Sequence, residues 1–329
     1  MAKIKSIWIS LLGSSIGCAL AGQFATVEAA TIITFDPAGS IATSAESIND
    51  KGSVAGDYLD SGHVLHGFIR TSDGSILTFD VPGAVNTFSS SINTKGGLVA
   101  GSYTDSKGQT HGYIRQHDGS FTTFDPTGSI ATVAKSINDS GSVAGLYEDS
   151  EQVEHGFVRT SDGNITTFDP TGSTNTVVEG INSSGSITGW YYDSNDLQHG
   201  YVRTSDGTIT SFDVAGATGT GGIGINTVGA ITGCYYDSKD DAYGFVRAPD
   251  GTFTTFEFKF HGTCGLSIND SGWVTGWFDI KNRSNGAFIR RPDAAIKRIP
   301  LDGYAVGTGI NKKATVIGSY KNSGFIRTR

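Results

Sequence analysis

Four histidines, His66, His111, His155 and His199, each stand fourteen residues before an aspartate, respectively Asp80, Asp125, Asp169 and Asp213. Imidazole beside carboxylate is acid–base and metal-ligating chemistry, and it is equally a charge-assisted hydrogen bond able to fasten one strand to another. The first use requires the groups to converge on one point. These pairs instead recur at even intervals, and the remaining histidines, His63, His117 and His261, form no cluster with them. The pairs are therefore read as a structural latch, with no catalytic residue and no metal site assigned.

Two further sets carry potential chemistry. Asp60, Asp105, Asp149, Asp193 and Asp237 recur in one loop, while Asp36, Asp80, Asp125, Asp169, Asp213 and Asp302 follow short apolar runs. An acidic face of this kind suits a hard cation such as calcium. The loops lack a dense Asp-x-Asp-x-Asp spacing, however, and Asp is an ordinary turn residue, so no cofactor is called for. Trp190, Tyr192, Tyr236 and Trp277 offer rings that stack on sugars or anchor a protein partner, with packing between sheets as the competing use. The five loop aspartates and these four aromatics are the candidate ligand-binding residues.

The phrase "HGFVRTSDGNITTFD", residues 155 to 169, shows which elements must position the pairs. A turn at "TSDG" sets two antiparallel strands in register, Val158 beside Thr166, Gly156 beside Phe168 and His155 beside Asp169. At the equivalent places the fifth copy has Tyr243 and Glu257, which retain a hydrogen bond, and the sixth has Gly286 and Pro300, so both partners vanish together. The arginine of each third strand, from Arg70 to Arg327, is expected to meet the turn aspartate in solvent, a contact of about 0 to 1 kcal/mol.

Stepping outward, Ile-Asn recurs seven times, from Ile48-Asn49 to Ile310-Asn311, at spacings of about 42 to 45 residues. Each copy continues with an apolar-x-Gly-x-aromatic phrase such as "VAGDY" or "ITGWY", then a variant of "GFVR", then a variant of "ITTFD". Four short strands per unit, joined by Asn, Asp and Gly turns, predict an all-β, seven-bladed β-propeller with four antiparallel strands per blade. The Gly inside each second strand is expected where neighbouring sheets approach closely. The chain after residue 30 starts on a fourth-strand phrase, "TIITFD", and ends on a third-strand phrase, "GFIRTR". The last blade is thus expected to be closed by both termini, which removes two sheet edges.

The repeated "HGFVR", "FTTFD", "SINDSG" and "VAG" phrases resemble those of bacterial extracellular HAF-repeat proteins, over nearly all of residues 31 to 329. The resemblance implies a repeat-built fold and export, and no single reaction or ligand.

Residues 1–29 have the form of a signal peptide, with lysines, then "SIWISLLGSSIGCALAG", then "VEA" before Ala30, leaving residues 30–329 as one domain. Cys18 lies in the apolar stretch, but Ser15 is a poor residue for a lipid-attachment signal. No later run is long enough for a membrane span. A secreted, periplasmic or cell-surface location is expected, as a monomer. Cys234 and Cys264 fall where adjacent blades meet and are placed for a disulfide.

The net charge of −8 and the absence of a recognition motif argue against nucleic acid, although residues 281–329 form a basic edge. The sequence therefore favours a non-catalytic binding or scaffold protein that holds a glycan or extracellular protein on a loop face. The other class is a polysaccharide hydrolase or lyase at the central channel, with "KFHGTCGLS" and "RRPDAAIKR" as the places where its residues would be sought.

Overall fold

A computed structural model describes residues 30–259, 262–280 and 284–328. The signal-peptide reading, Cys18, His261 and the basic residues Lys281, Arg283 and Arg329 lie outside the described residues. The regular structure described is all strand, and no helix there is long and apolar enough to cross a membrane.

The first strand, β1 (Ile32–Phe35), is followed by an antiparallel meander of β2 (Ser40–Ile48), β3 (Val54–Asp60), β4 (Leu65–Arg70) and β5 (Ile76–Phe79). The same four-strand meander recurs along the chain. Its third and fourth strands pair as the turn chemistry dictates, with Gly156 opposite Phe168 and Val158 opposite Thr166. β1 pairs with Ser323–Arg327, matching Ile32 with Arg327 and Phe35 with Gly324, so the sheet of residues 305–327 gains its outer strand from the start of the chain. Phe35 then packs with Ala45, Val54, Phe68, Ile317 and Ile326, one apolar cluster drawn from the first and last units. Deleting residues 31–36 is expected to lower the unfolding midpoint sharply and to speed proteolysis. Wild-type resistance of the truncated chain would contradict this use of the strand.

The repeated asparagine holds the units together at their inner ends. Asn138 Oδ1 accepts from the amides of Ser140 and Ser142, at 3.1 and 3.0 Å, shaping its own turn. Its Nδ2 donates to the carbonyl of Asn182 in the next unit at 3.0 Å. The same donation runs from Asn49 to Asn93, Asn93 to Asn138, Asn182 to Asn226, Asn226 to Asn269 and Asn269 to Asn311. Asn311 then donates to Asn49 at 3.2 Å, so the chain of hydrogen bonds is a cycle. All seven side chains are buried, which makes each a polar group that must find its partners inside the protein.

Two expectations are corrected here. The arginines do not stand at a solvated edge. Arg70, Arg115, Arg203 and Arg290 are buried, and the guanidinium of each lies over the fourth-strand phenylalanine of the unit before it, Arg115 over Phe79 at 4.9 Å and Arg203 over Phe168 at 4.9 Å. Among the described residues none of these four makes an ion pair with its turn aspartate. Asp73 and Asp206 instead accept from Thr71 and Thr204, at 2.5 and 2.6 Å. Desolvation lowers the pKa of Arg70 and Arg203 while leaving them cationic, and the ring face offers the charge a partner that tolerates burial.

The second-strand glycine, in turn, serves its own sheet and not the gap between sheets. A Cβ on Gly56 would stand 2.0 Å from the carbonyl of Ser44 on the paired inner strand. That close approach coincides with a slip in the β2–β3 register between Ala45 and Ser47.

Candidate functional site

The register slip recurs in every inner strand and determines what faces the centre. At the equivalent place on each, one residue is skipped by the pairing: Glu46, Ser90, Lys135, Glu179, Ile223, Leu266 and Thr308, with Ile41 skipped as well near the start of β2. A β-bulge of this kind leaves a residue unpaired and re-aims its side chain. All seven line one cavity of about 610 Å³, together with Asp57, Phe88, Ser89 and Ser102. Contributions from every unit place that cavity at their common centre. These seven residues comprise two acids, a lysine, two hydroxyls and two aliphatics.

Within the cavity Lys135 Nζ lies 3.4 Å from Glu179 Oε2. Glu46 accepts from the hydroxyl of Ser44, whose oxygen is 3.2 Å from that of Ser319. Asp57 has its pKa raised to about 7, chiefly by burial, further by the charge of Glu46, and against a hydrogen bond from the Ser89 backbone. One carboxyl here therefore exchanges its proton near neutrality beside a second carboxylate, the arrangement that general acid–base chemistry uses.

The seven Ile-Asn pairs surround a second, smaller cavity of about 220 Å³, rimmed by Asp50, Asp139, Asp270 and Lys312. Lys312 Nζ lies 3.0 Å from Asp50 and 3.7 Å from Asp270, which raise its pKa and neutralise part of the rim. Some of the basic edge is likewise spent internally, Arg291 on Asp293 and Arg298 on the carbonyl of Leu301.

No histidine of these pairs, and none of their aspartates, lines either cavity. His66, His111, His155 and His199 place Nδ1 at 2.9, 2.7, 2.8 and 2.9 Å from Asp80, Asp125, Asp169 and Asp213. The other ring nitrogen faces the loop aspartate, His155 Nε2 at 3.1 Å from Asp149, with Asp60, Asp105 and Asp193 at 3.4, 3.7 and 3.7 Å from theirs. Each loop aspartate also caps its own turn: Asp149 Oδ1 accepts from the amides of Glu151 and Val153. Two sets kept apart in the sequence reading thus form one Asp–His–Asp unit, stacked on Tyr58, Tyr103, Tyr147 or Tyr191. In the fifth unit Tyr243 donates to Asp237 at 3.4 Å and not to Glu257 as the register alone suggested. Among the described residues no group of acids, histidines and cysteines is arranged to hold a metal ion.

The unit of His155 carries a pH signature. Burial opposes protonation of His155, but the hydrogen bonds to Asp169 and Asp149 outweigh it and raise its pKa above the ordinary 6.5. Asp149 is held below 3.8, first by the Val153 amide and, with smaller effect, by His155. The histidine term is fully present below 6.5 and fades as pH rises through the raised value; the aspartate term is present above 3.8 and fades as pH falls. His155→Ala should therefore lower the thermal midpoint most near pH 5 and least above pH 8, as a calorimetric pH series would show. A loss that grows with rising pH would contradict the pairing.

The aromatic candidates are dispersed. Trp190 meets Tyr192 edge-on at 5.3 Å, and a Cβ on Gly221 of the next unit would lie 3.4 Å from its ring, so Trp190 sits against its neighbour. Among the described residues no ring contact joins either to Tyr236 or Trp277. Cys234 and Cys264 form a disulfide between adjacent units, with Cα atoms 4.8 Å apart. Neither "KFHGTCGLS" nor "RRPDAAIKR" supplies the acids of the central cavity; Leu266 is the one bulge residue they contain. Asp57 stands within the phrase "VAGDY", at a place that differs from unit to unit. Glu46, Lys135 and Glu179 carried no mark, because the bulge that gathers them has no residue signature.

No family model matches the chain, and no curated protein matches it. Solved structures do. A streptogramin B lyase aligns with 91% of this chain and 97% of its own at 15% identity and a TM-score of 0.61. The virginiamycin B lyase of Staphylococcus aureus aligns with 92% of this chain and 100% of its own at 14% identity and 0.61. The β-propeller domain of the trilobed protease from Pyrococcus furiosus, described as having an open velcro topology, aligns with 87% of this chain and 95% of its own at 11% identity and 0.61. Identities this low speak to architecture alone, and the architecture is common to all: this chain is an all-β, repeat-built β-propeller.

Proposed function

We propose that this protein is an exported, non-catalytic binding propeller of seven blades, closed by its N-terminal strand, that holds a small glycan in the central cavity. The cycle of seven asparagines and the pairing of Ile32–Phe35 with Ser323–Arg327 support closure. Export, to the medium, the periplasm or the cell surface, rests on the signal-like first 29 residues, on the HAF-repeat resemblance and on a disulfide suited to an oxidising compartment. The protein acts as a monomer in this reading, and an extracellular protein presenting a glycan would serve equally as partner.

The observation that carries the binding site is the set of unlike side chains on seven equivalent bulges. Glu46, Ser90, Lys135, Glu179 and Thr308 can exchange hydrogen bonds with hydroxyls, while Ile223 and Leu266 offer surface to the C–H face of a sugar ring. The loop face is the weaker choice, because its aspartates are already engaged by histidines and by their own turns.

A second reading, a polysaccharide hydrolase or lyase, is favoured by the Asp57–Glu46 pair. A glycan array followed by chromatography of the bound polymers separates the two. Retention of intact glycan supports binding, and release of shorter products replaces it with catalysis.

A further inference from the structure

A groove between the first and second units collects cations without a carboxylate. Its cavity of about 590 Å³ is lined by Lys51, Lys95, Arg115 and His117 above a floor that includes Ile69 and Leu77, and no Asp or Glu is among the lining residues. This is unexpected on a chain of net charge −8. Three acids stand at its margins, each turned to a local hydrogen bond. Asp73 accepts from Thr71 and from the Ser75 amide, Asp139 from the amides of Thr94 and Lys95, and Asp118 from Ser120. Among the described residues no ion pair engages Lys51, Lys95 or Arg115.

Two departures from the repeat build the groove. The turn after Asn93 is one residue longer than its counterparts, so Asn93 Oδ1 accepts from Gly96 and Leu98, three and five residues on, where Asn49 and Asn138 accept two and four residues on. The extra residue lies before Gly97, the repeat's own positive-φ glycine, where a Cβ would lie 3.8 Å from His117 Nδ1 as one on Gly52 would meet Ser72. His117 itself replaces the serine found at Ser72, Ser161 and Ser205. A lengthened turn and a unique imidazole therefore line one cavity, and the imidazole adds a hydrogen-bonding group to it.

We propose that this groove binds a sugar unit carrying a carboxylate or sulfate group, as found in acidic polysaccharides. Lys51 and Lys95 meet the anion, the buried Arg115 adds its charge from beneath, His117 donates a hydrogen bond, and the Ile69 and Leu77 floor takes the C–H face of the ring. The site is separate from the central cavity and does not depend on what that cavity binds.

The test titrates the purified protein with three disaccharides in low salt: digalacturonate, a sulfated heparin disaccharide, and neutral cellobiose. Amide shifts are followed by NMR. One or both acidic sugars should bind, shifting Lys95, Gly97 and Gly119, weakening as salt is added, and the tighter of the two identifies the anionic group. Lys95→Glu should weaken that binding by about tenfold or more, the scale of one lost charge-assisted contact. His117→Ser, which restores the repeat's own residue and leaves the backbone turn intact, should weaken it less. Equal binding of cellobiose, indifference to both substitutions in folded variants, or no millimolar binding of either acidic sugar would each overturn the proposal.

Discussion

Replacing Asp57 by Asn is expected to make the protein less sensitive to alkali. In the folded chain Asp57 keeps its proton up to about pH 7, whereas an unfolded aspartate releases it near 3.8. The folded state therefore binds the extra proton between those values, and stability falls as pH rises through them. A difference of this size corresponds to about 4 kcal/mol once both states are ionised. Asparagine resembles the protonated acid, so Asp57→Asn should match wild type near pH 4 and exceed it by a few kcal/mol at pH 8. Glu46→Gln should recover part of the same gain, since the charge of Glu46 is the second cause of the shift. Urea unfolding at the two pH values measures this; parallel pH dependence in wild type and Asp57→Asn would contradict it. An acid this unfavourable to stability at neutral pH marks the cavity as a candidate functional site.

The second large effect concerns the asparagine cycle. Asn138→Ala removes acceptors for Ser140 and Ser142 and strips the Asn182 carbonyl of its donor in a buried place. Leaving such groups unpaired costs about 1 to 3 kcal/mol each, so a total on the order of 3 kcal/mol is expected. Asn138→Asp keeps the turn acceptors but sets a carboxylate against the Asn182 carbonyl, and it should be worse than Ala above pH 5. Equal stability of the aspartate and asparagine proteins at pH 7, by denaturant unfolding, would show that the inter-unit donation contributes nothing.

Much of this architecture was legible because the repeat writes it seven times. The fourteen-residue interval between His155 and Asp169 is a register between adjacent strands, and a tight turn makes such a register readable. The cysteine pair was legible for a similar reason, since the second strand of one unit lies beside the first strand of the next. The arginines were misread because their partner is remote: Phe79 precedes Arg115 by a whole connection, whereas Asp118 lies three residues away. The loop aspartates were read apart from the histidines because their link depends on the depth of the ring between two strands. Most consequential, the central residues were missed. A bulge adds one residue to a strand without any characteristic type, so Glu46, Lys135 and Glu179 look like ordinary outward polar positions until the register is known.

The most direct test of the central cavity as the binding site is to take the tightest glycan from the array and measure its affinity for four variants by calorimetry. Glu46→Gln and Lys135→Met alter bulge residues; Asp149→Asn and Asp193→Asn alter the loop face. The cavity reading predicts a loss of about tenfold or more in the first two and little change in the last two, as expected when a buried polar contact to ligand is removed. Full affinity in both cavity variants with loss in the loop variants would contradict it.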